Sequence, residues 1–210
     1  MPSKEPAARR VFFARLPTPR QRFDDSHVDE ANALFPGLLG DTAWQALPEP
    51  VRRMHGNAPR VAARGMADVE GGTHLVVRVL RTLLGLPSPG TQQALAFSIE
   101  RSNGRETWTR GFARSQMRSV LVRDAEAPHL LERLGPITLR LALQHDATGI
   151  DWHLLAASAW GMPIPRTWLG KVVSRCSARD GRYTFDIDTR LPLAGRLVTY
   201  RGWLEIVPDD

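Results

Sequence analysis

The 210-residue sequence predicts an α+β fold: a strongly curved antiparallel sheet or incomplete β-barrel of seven to nine strands, with a helix packed on it or across its mouth. Two dipeptides and one periodicity carry that expectation. Asn103-Gly104 and Asp180-Gly181 tolerate the positive φ of a two-residue hairpin loop, and each lies between segments of alternating polarity. Between Gly72 and Pro87 the apolar residues instead fall at helical spacing. Twisted sheets of this size curl or close on themselves.

Folding is expected to begin near Leu34. Asp41 or Thr42 is placed to cap a short helix bearing Trp44 and Leu47, Pro48 and Pro50 interrupt it, and Val51 to His55 form a further turn. These pieces read as a lid or packing helix against the sheet. Val61 to Val69 has the composition of a strand, and Gly71-Gly72-Thr73 leads into the clearest helix, over 73–86. There Leu75, Val76, Val79, Leu80, Leu83 and Leu86 form an apolar set with His74, Arg78 and Arg81 opposite, and Gly85 and Pro87 end the helix.

Beyond residue 90 the period is two. With Asn103-Gly104 as the loop, Ile99 pairs with Trp108, Phe97 with Arg110, Leu95 with Phe112 and Arg101 with Glu106. Met117 to Arg123 adds a strand, and His129 to Leu134 a short strand or turn. Ile137 to His145 alternates cleanly. A loop over Asp146 to Gly149 sets Leu143 against Trp152, Leu141 against Leu154 and His145 against Ile150. The Asp180-Gly181 hairpin sets Cys176 against Phe185, Ala178 against Tyr183 and Ser174 against Ile187. A last strand, Arg196 to Val207, puts Val198, Tyr200, Leu204 and Ile206 on one face and Arg201, Trp203 and Glu205 on the other.

The organisation expected is a flexible basic tail over residues 1–30 and a single α+β domain over 31–210. The net charge of +6 invites a nucleic-acid partner, but Met1 to Arg22 holds six basic residues and one acid, so the tail carries nearly all of it. Asp24, Asp25, Asp29 and Glu30 follow at once. No specific nucleic-acid partner is expected. No run approaches the roughly 20 apolar residues of a membrane span, and the one cysteine, Cys176, rules out an internal disulfide. A cytoplasmic protein without a membrane span is expected.

Arg110 stands out because it falls on the apolar face of its hairpin, where a charge needs a partner. Two readings are open: an internal salt bridge with Glu106, Glu100 or Glu132, or an anchor for an anionic ligand inside the curved sheet. Glu132-Arg133 precedes the Gly135-Pro136 turn, so one of the two side chains can join Arg110 and Glu106 in an interior cluster capable of acid–base work. His55 and His145 are polar groups for a pocket. The six histidines lack zinc spacing, and no metal is expected. Gly-x-Ser-x-Gly, phosphate-loop and Gly-x-Gly-x-x-Gly motifs are absent, so no cofactor is expected either.

Several spaced motifs occur together: Gly104-x-Glu106-x-Trp108-x-Arg110-x-Phe112, Ser119, Glu132-Arg133-x-Gly135-Pro136, Asp180-Gly181-Arg182-x-x-Phe185-Asp186, and Gly195-x-x-Val198-x-Tyr200-Arg201-Gly202-Trp203-Leu204. With Leu38-Leu39-Gly40, Trp44 and Val51-Arg52-Arg53-Met54-His55, the chain resembles the bacterial family catalogued as domain of unknown function 4166, over roughly residues 34–207. The resemblance implies little chemistry. It implies that relatives occur alone or fused behind saccharopine-dehydrogenase-like oxidoreductases, which makes an oxidoreductase a candidate partner.

The leading expectation is a non-enzymatic binder of a hydrophobic or amphipathic small molecule in the concave face of the sheet. Its candidate ligand-binding residues are Arg110, Trp108, Glu106, Phe112, Glu132, Arg133, Tyr200 and His55, with an anionic group facing Arg110. An interaction module for an oxidoreductase, and an enzyme using the Glu106, Arg110 and Glu132 cluster, are the alternatives.

Overall fold

The computed structural model describes residues 33–208, so the tail expected over 1–30 lies outside the described residues. Eleven strands form one antiparallel sheet: β1 (Arg60–Gly71), β2 (Gly90–Ser102), β3 (Arg105–Phe112), β4 (Ser115–Arg123), β5 (Leu130–Leu134), β6 (Ile137–Asp146), β7 (Gly149–Ala159), β8 (Met162–Pro163), β9 (Lys171–Arg179), β10 (Arg182–Leu191) and β11 (Gly195–Val207). The order is β6-β5-β4-β3-β2-β1-β11-β10-β9-β7-β8, and β6 also pairs with β7. That pairing closes a ten-stranded barrel with β8 as a two-residue appendage on β7. The expected seven to nine strands in an incomplete barrel are thus too few and too open. The closing contacts β1–β11 and β7–β9 join segments with no shared hairpin, and closure depends on strand tilt and stagger, which local sequence does not carry.

The hairpin registers follow the turn chemistry. Ile99 faces Trp108, Phe97 faces Arg110, and Arg101 faces Glu106 around Asn103 (φ 50°) and Gly104 (φ 65°). Leu143 faces Trp152 and Leu141 faces Leu154, and Cys176 faces Phe185 across the Asp180-Gly181 loop. Inward positions are mostly apolar. Outward positions carry exposed charges such as Arg64, Glu100, Arg118, Arg133, Arg201 and Glu205. Among the described residues no helix is long and apolar enough to cross a membrane. A transmembrane barrel has an outward apolar band, and this one has the reverse polarity. Where β1 and β11 meet, a Cβ on Gly65 would lie 1.9 Å from the Trp203 carbonyl oxygen, so only glycine permits that approach.

The two ends differ. Helices α1 (Leu34–Leu39), α2 (Asp41–Ala46) and α3 (Glu49–His55) plug one end, where Phe35, Val51, Met54 and His55 are fully buried. Arg101 fastens the plug: its guanidinium donates to the Met54 carbonyl at 2.8 Å, to the Ala58 carbonyl at 2.7 Å and to Glu106 at 2.9 Å. The fourth helix, α4 (Leu75–Leu83), joins β1 to β2 at the opposite, open end. The helix expected at the mouth is therefore there, but its apolar set is split, with Leu80 and Leu86 toward the cavity and the other four outward. Val77 is buried and Leu80 and Leu84 face the barrel, whereas Leu75, Val76, Val79 and Leu83 are exposed.

Candidate functional site

Inside the closed barrel lies a cavity of about 310 Å³. It begins above the plug and runs to the mouth, lined mainly by apolar strand residues such as Leu95, Phe97, Met117, Leu139, Leu154 and Phe185, with Leu80, Leu84 and Trp168 near the opening. Ten-stranded closure leaves the space because the side chains of a barrel wider than eight strands no longer meet across its axis.

The charged centre of this space is built by two neighbouring pairs of strands. Alternation along β3 turns Glu106, Trp108, Arg110 and Phe112 inward. Arg110 Nη1 donates to Ser119 Oγ on β4 at 3.0 Å, and its Nη2 stands 3.7 Å from Glu132 Oε1 on β5. The second distance is an ion pair without a hydrogen bond. The guanidinium also lies 5.0 Å from the Trp108 ring centroid and 5.6 Å from that of Phe97. A guanidinium has five N–H donors; within the described residues the side chain of Arg110 makes the single hydrogen bond to Ser119. Arg110 borders the cavity, as does Tyr200. Burial raises the Tyr200 phenol above its ordinary value while Arg110 pulls it back, so the hydroxyl is a neutral donor or acceptor beside the pair.

The eight residues expected to bind a ligand separate into two groups. Arg110, Trp108, Glu132 and Tyr200 line the cavity. The other four lie elsewhere. Glu106 sits below Trp108 at the closed end, where it accepts hydrogen bonds from Arg101 at 2.9 Å and from the Trp108 indole at 2.8 Å. Burial outweighs those donors and raises its pKa. Phe112 is buried edge-on against Tyr200, with centroids 6.3 Å apart. Arg133 points outward and is exposed. His55 belongs to the plug, with Nε2 3.0 Å from the Tyr183 hydroxyl and its ring 4.2 Å from that of Phe35. The cluster of Glu106, Arg110 and Glu132 is therefore split, and the internal partner of Arg110 is Glu132. His145 is exposed at the closed end of β6. Among the described residues no group of three or more His, Cys, Asp or Glu side chains is placed to hold a metal ion.

Ser119 is the participant that sequence reasoning did not include in the site. Its signal was present: along β4 it is the one polar residue in the inward series Met117, Ser119, Leu121, directly across from Trp108. Cys176 is fully enclosed, and burial pushes its thiol up to about 11, so it acts as a small apolar residue.

His55 gives the plug a pH dependence. Burial, then the nearby Arg101 and Arg110 charges, lower its pKa from 6.5 to about 3. Between those values the unfolded chain takes up a proton that the folded chain refuses, so stability falls as pH drops from 6.5 toward 3. By pH 4 the loss from this residue amounts to about 3 kcal/mol. Urea unfolding at pH 7 and pH 4 measures it. His55→Gln is expected to lose less stability on acidification than the wild type, and an equal loss in both would show that another group is responsible.

Comparison with known proteins adds one match. The family model described as Domain of unknown function (DUF4166) matches residues 47–204, which run from the end of α2 through most of β11. No curated protein and no solved structure matches the chain.

Proposed function

From a chain that belongs to the DUF4166 family, whose description carries no activity, we propose a non-enzymatic binder that holds a hydrophobic or amphipathic small molecule inside the barrel. The observation that carries this reading is the pairing of an apolar cavity of about 310 Å³ with one under-used guanidinium at its base, Arg110. An apolar body fills the space between Phe97, Leu139, Leu154 and Phe185. An oxygen-rich or anionic end reaches Arg110, where the low dielectric strengthens a charge-assisted hydrogen bond. Ser119 and Glu132 hold the guanidinium in place. The separation of Glu106 from Arg110 and Glu132 weighs against the enzymatic alternative, because it leaves that pair as the only part of the expected cluster bordering the space.

An anionic naphthalene sulfonate, 1-anilinonaphthalene-8-sulfonate, is a suitable probe, with apolar rings and one charged end. The natively folded protein is expected to bind it at one saturable site with a blue-shifted emission. Ala157→Phe, which adds volume to the cavity wall, is expected to abolish that binding while the protein keeps its circular dichroism spectrum. Undiminished binding in the folded variant would place the probe elsewhere and contradict the reading.

An interaction module for an oxidoreductase is the second reading. The observation favouring it is the exposed apolar surface at the open end, which includes Leu75, Val79, Leu83 and Trp168.

A further inference from the structure

The exposed large apolar side chains are not scattered. Leu75, Val76, Val79 and Leu83 on α4, Trp160 and Met162 around the β7–β8 turn, Trp168 before β9, and Leu193 between β10 and β11 all belong to connections at the open end. Their exposures reach 77 % for Trp160 and 108 % for Leu193. Among the described residues, Val173 is the only exposed large apolar one within a barrel strand, two residues from the same end.

Backbone conformation sharpens the contrast between the ends. Two-residue turns at the closed end place Asn103 and Asp180 at positive φ, residue types that tolerate it. At the open end the same conformation is held by Trp160 (φ 50°) and Leu193 (φ 62°), bulky residues for which it is strained. Folding alone gives no return for a strained, solvent-exposed tryptophan.

The open-end connections over residues 72–89, 113–114, 135–136, 160–170 and 192–194 contain Arg78, Arg81, Arg114 and Arg166 and no Asp or Glu, while Glu70 stands beside them near the end of β1, paired with Arg196. The closed end carries both signs, with Asp124, Glu126 and Asp180 in its connections and Asp41, Glu49, Arg52 and Arg53 on the plug helices. Beside α4, Arg78, Arg81, Thr82, Ser88, Ser115 and Gln116 line a second recess of about 350 Å³. In it Ser115 Oγ and Arg81 Nε are buried without a hydrogen-bond partner among the described residues, while Arg81 Nη2 donates to the Pro87 carbonyl at 2.7 Å. Burial and the adjacent Arg78 charge both disfavour the Arg81 cation; a bound anion would relieve both.

We propose that the open end docks on an anionic phospholipid surface, with the apolar residues of α4 and the Trp160, Trp168 and Leu193 loops entering the interface and a lipid phosphate occupying the Arg78–Arg81–Ser115 recess. Tryptophans favour the interfacial depth, and each arginine near an anionic surface adds attraction. A protein partner would be met equally well by the apolar residues, but the arginines of the acid-free connections around them match the lipid surface. The orientation brings the barrel mouth against the membrane. Docking stands independently of what the cavity holds.

Co-sedimentation of the full chain with vesicles of equal parts phosphatidylglycerol and phosphatidylcholine, against phosphatidylcholine alone, tests the proposal. Binding is expected to the anionic vesicles, with a blue shift of tryptophan emission. Arg78→Glu is expected to weaken it by about tenfold or more, and Val79→Asp with Leu83→Asp to abolish it, since these exposed positions leave the fold undisturbed. Arg110→Met with Glu132→Gln, inside the barrel, is expected to leave docking unchanged, which keeps failure of docking distinct from failure of ligand binding. Wild-type protein that stays in the supernatant would overturn the proposal, as would vesicle binding by the Val79→Asp, Leu83→Asp variant equal to wild type. A dimer in solution that this variant dissociates, without vesicle binding, would assign the surface to a second copy of the chain instead.

Discussion

Substituting Arg110→Met together with Glu132→Gln is expected to remove the preference of the barrel for an anionic ligand while leaving it folded. Arg110→Met alone strands the Glu132 carboxylate in the interior, and breaking one side of a buried pair costs about 3–5 kcal/mol. Changing both residues removes the charge and its counter-charge together, so most of that loss is recovered. The functional loss is not recovered. A charge-assisted hydrogen bond contributes about 1.5–3 kcal/mol, so the double variant should bind the naphthalene sulfonate about tenfold to a hundredfold more weakly. Its uncharged counterpart N-phenyl-1-naphthylamine, which has the same rings without the sulfonate, should bind both proteins alike. Paired titrations of the two probes measure the difference. Equal retention of both by the double variant would mean that Arg110 serves the fold only, balancing Glu132 and Ser119.

Phe35→Ala is expected to carry the largest stability effect. Phe35 is fully buried on the short α1, and its ring lies 4.2 Å from that of His55, 5.5 Å from Trp152 and 6.0 Å from Trp108. It fills the closed end, where the barrel side chains leave a gap that only the helices cover. Truncating such a residue costs about 3–5 kcal/mol, because the lost transfer energy is joined by a cavity that the rigid strands cannot collapse. Chemical denaturation followed by tryptophan emission measures the loss directly. A change below about 1 kcal/mol would show that the plug packs on the barrel without stabilising it.

These two residues mark what was legible in the sequence. Arg110 was found because Asn103-Gly104 sets the β2–β3 register, and a register assigns every side chain to a face. The same logic placed Cys176 opposite Phe185 and Leu143 opposite Trp152. Its polar neighbours were harder to place. Glu132, Glu106 and Glu100 are all candidates for Arg110; Glu100 is exposed on the outer face, and the choice between the other two depends on how far β5 lies from each level of β3, a property of the closed barrel. Glu106 instead meets Arg101, its own cross-strand neighbour.

Phe35 is obscure for a different reason, and His55 reads from the sequence only as a polar group for a pocket. Helices of six and seven residues are too short to show a periodic face, so nothing local says that α1 and α3 put these rings inside the barrel. The α4 helix misled in the opposite direction. Leu75, Val76, Val79, Leu80, Leu83 and Leu86 form a good apolar set, and such a set normally faces a core. Here Leu80 and Leu86 do take the inward side, with Val77 and Leu84, but Leu75, Val76, Val79 and Leu83 face out beside Trp160 and Trp168. That division is invisible to periodicity and is what brings the open end to notice.

Native mass spectrometry of the full chain, purified without denaturation, tests the central claim most directly. The barrel is predicted to arrive with a small, non-covalently held amphipathic mass that dissociates on activation and is diminished by Ala157→Phe. A uniformly empty protein that also binds neither naphthalene probe would contradict the account of the cavity as a ligand site.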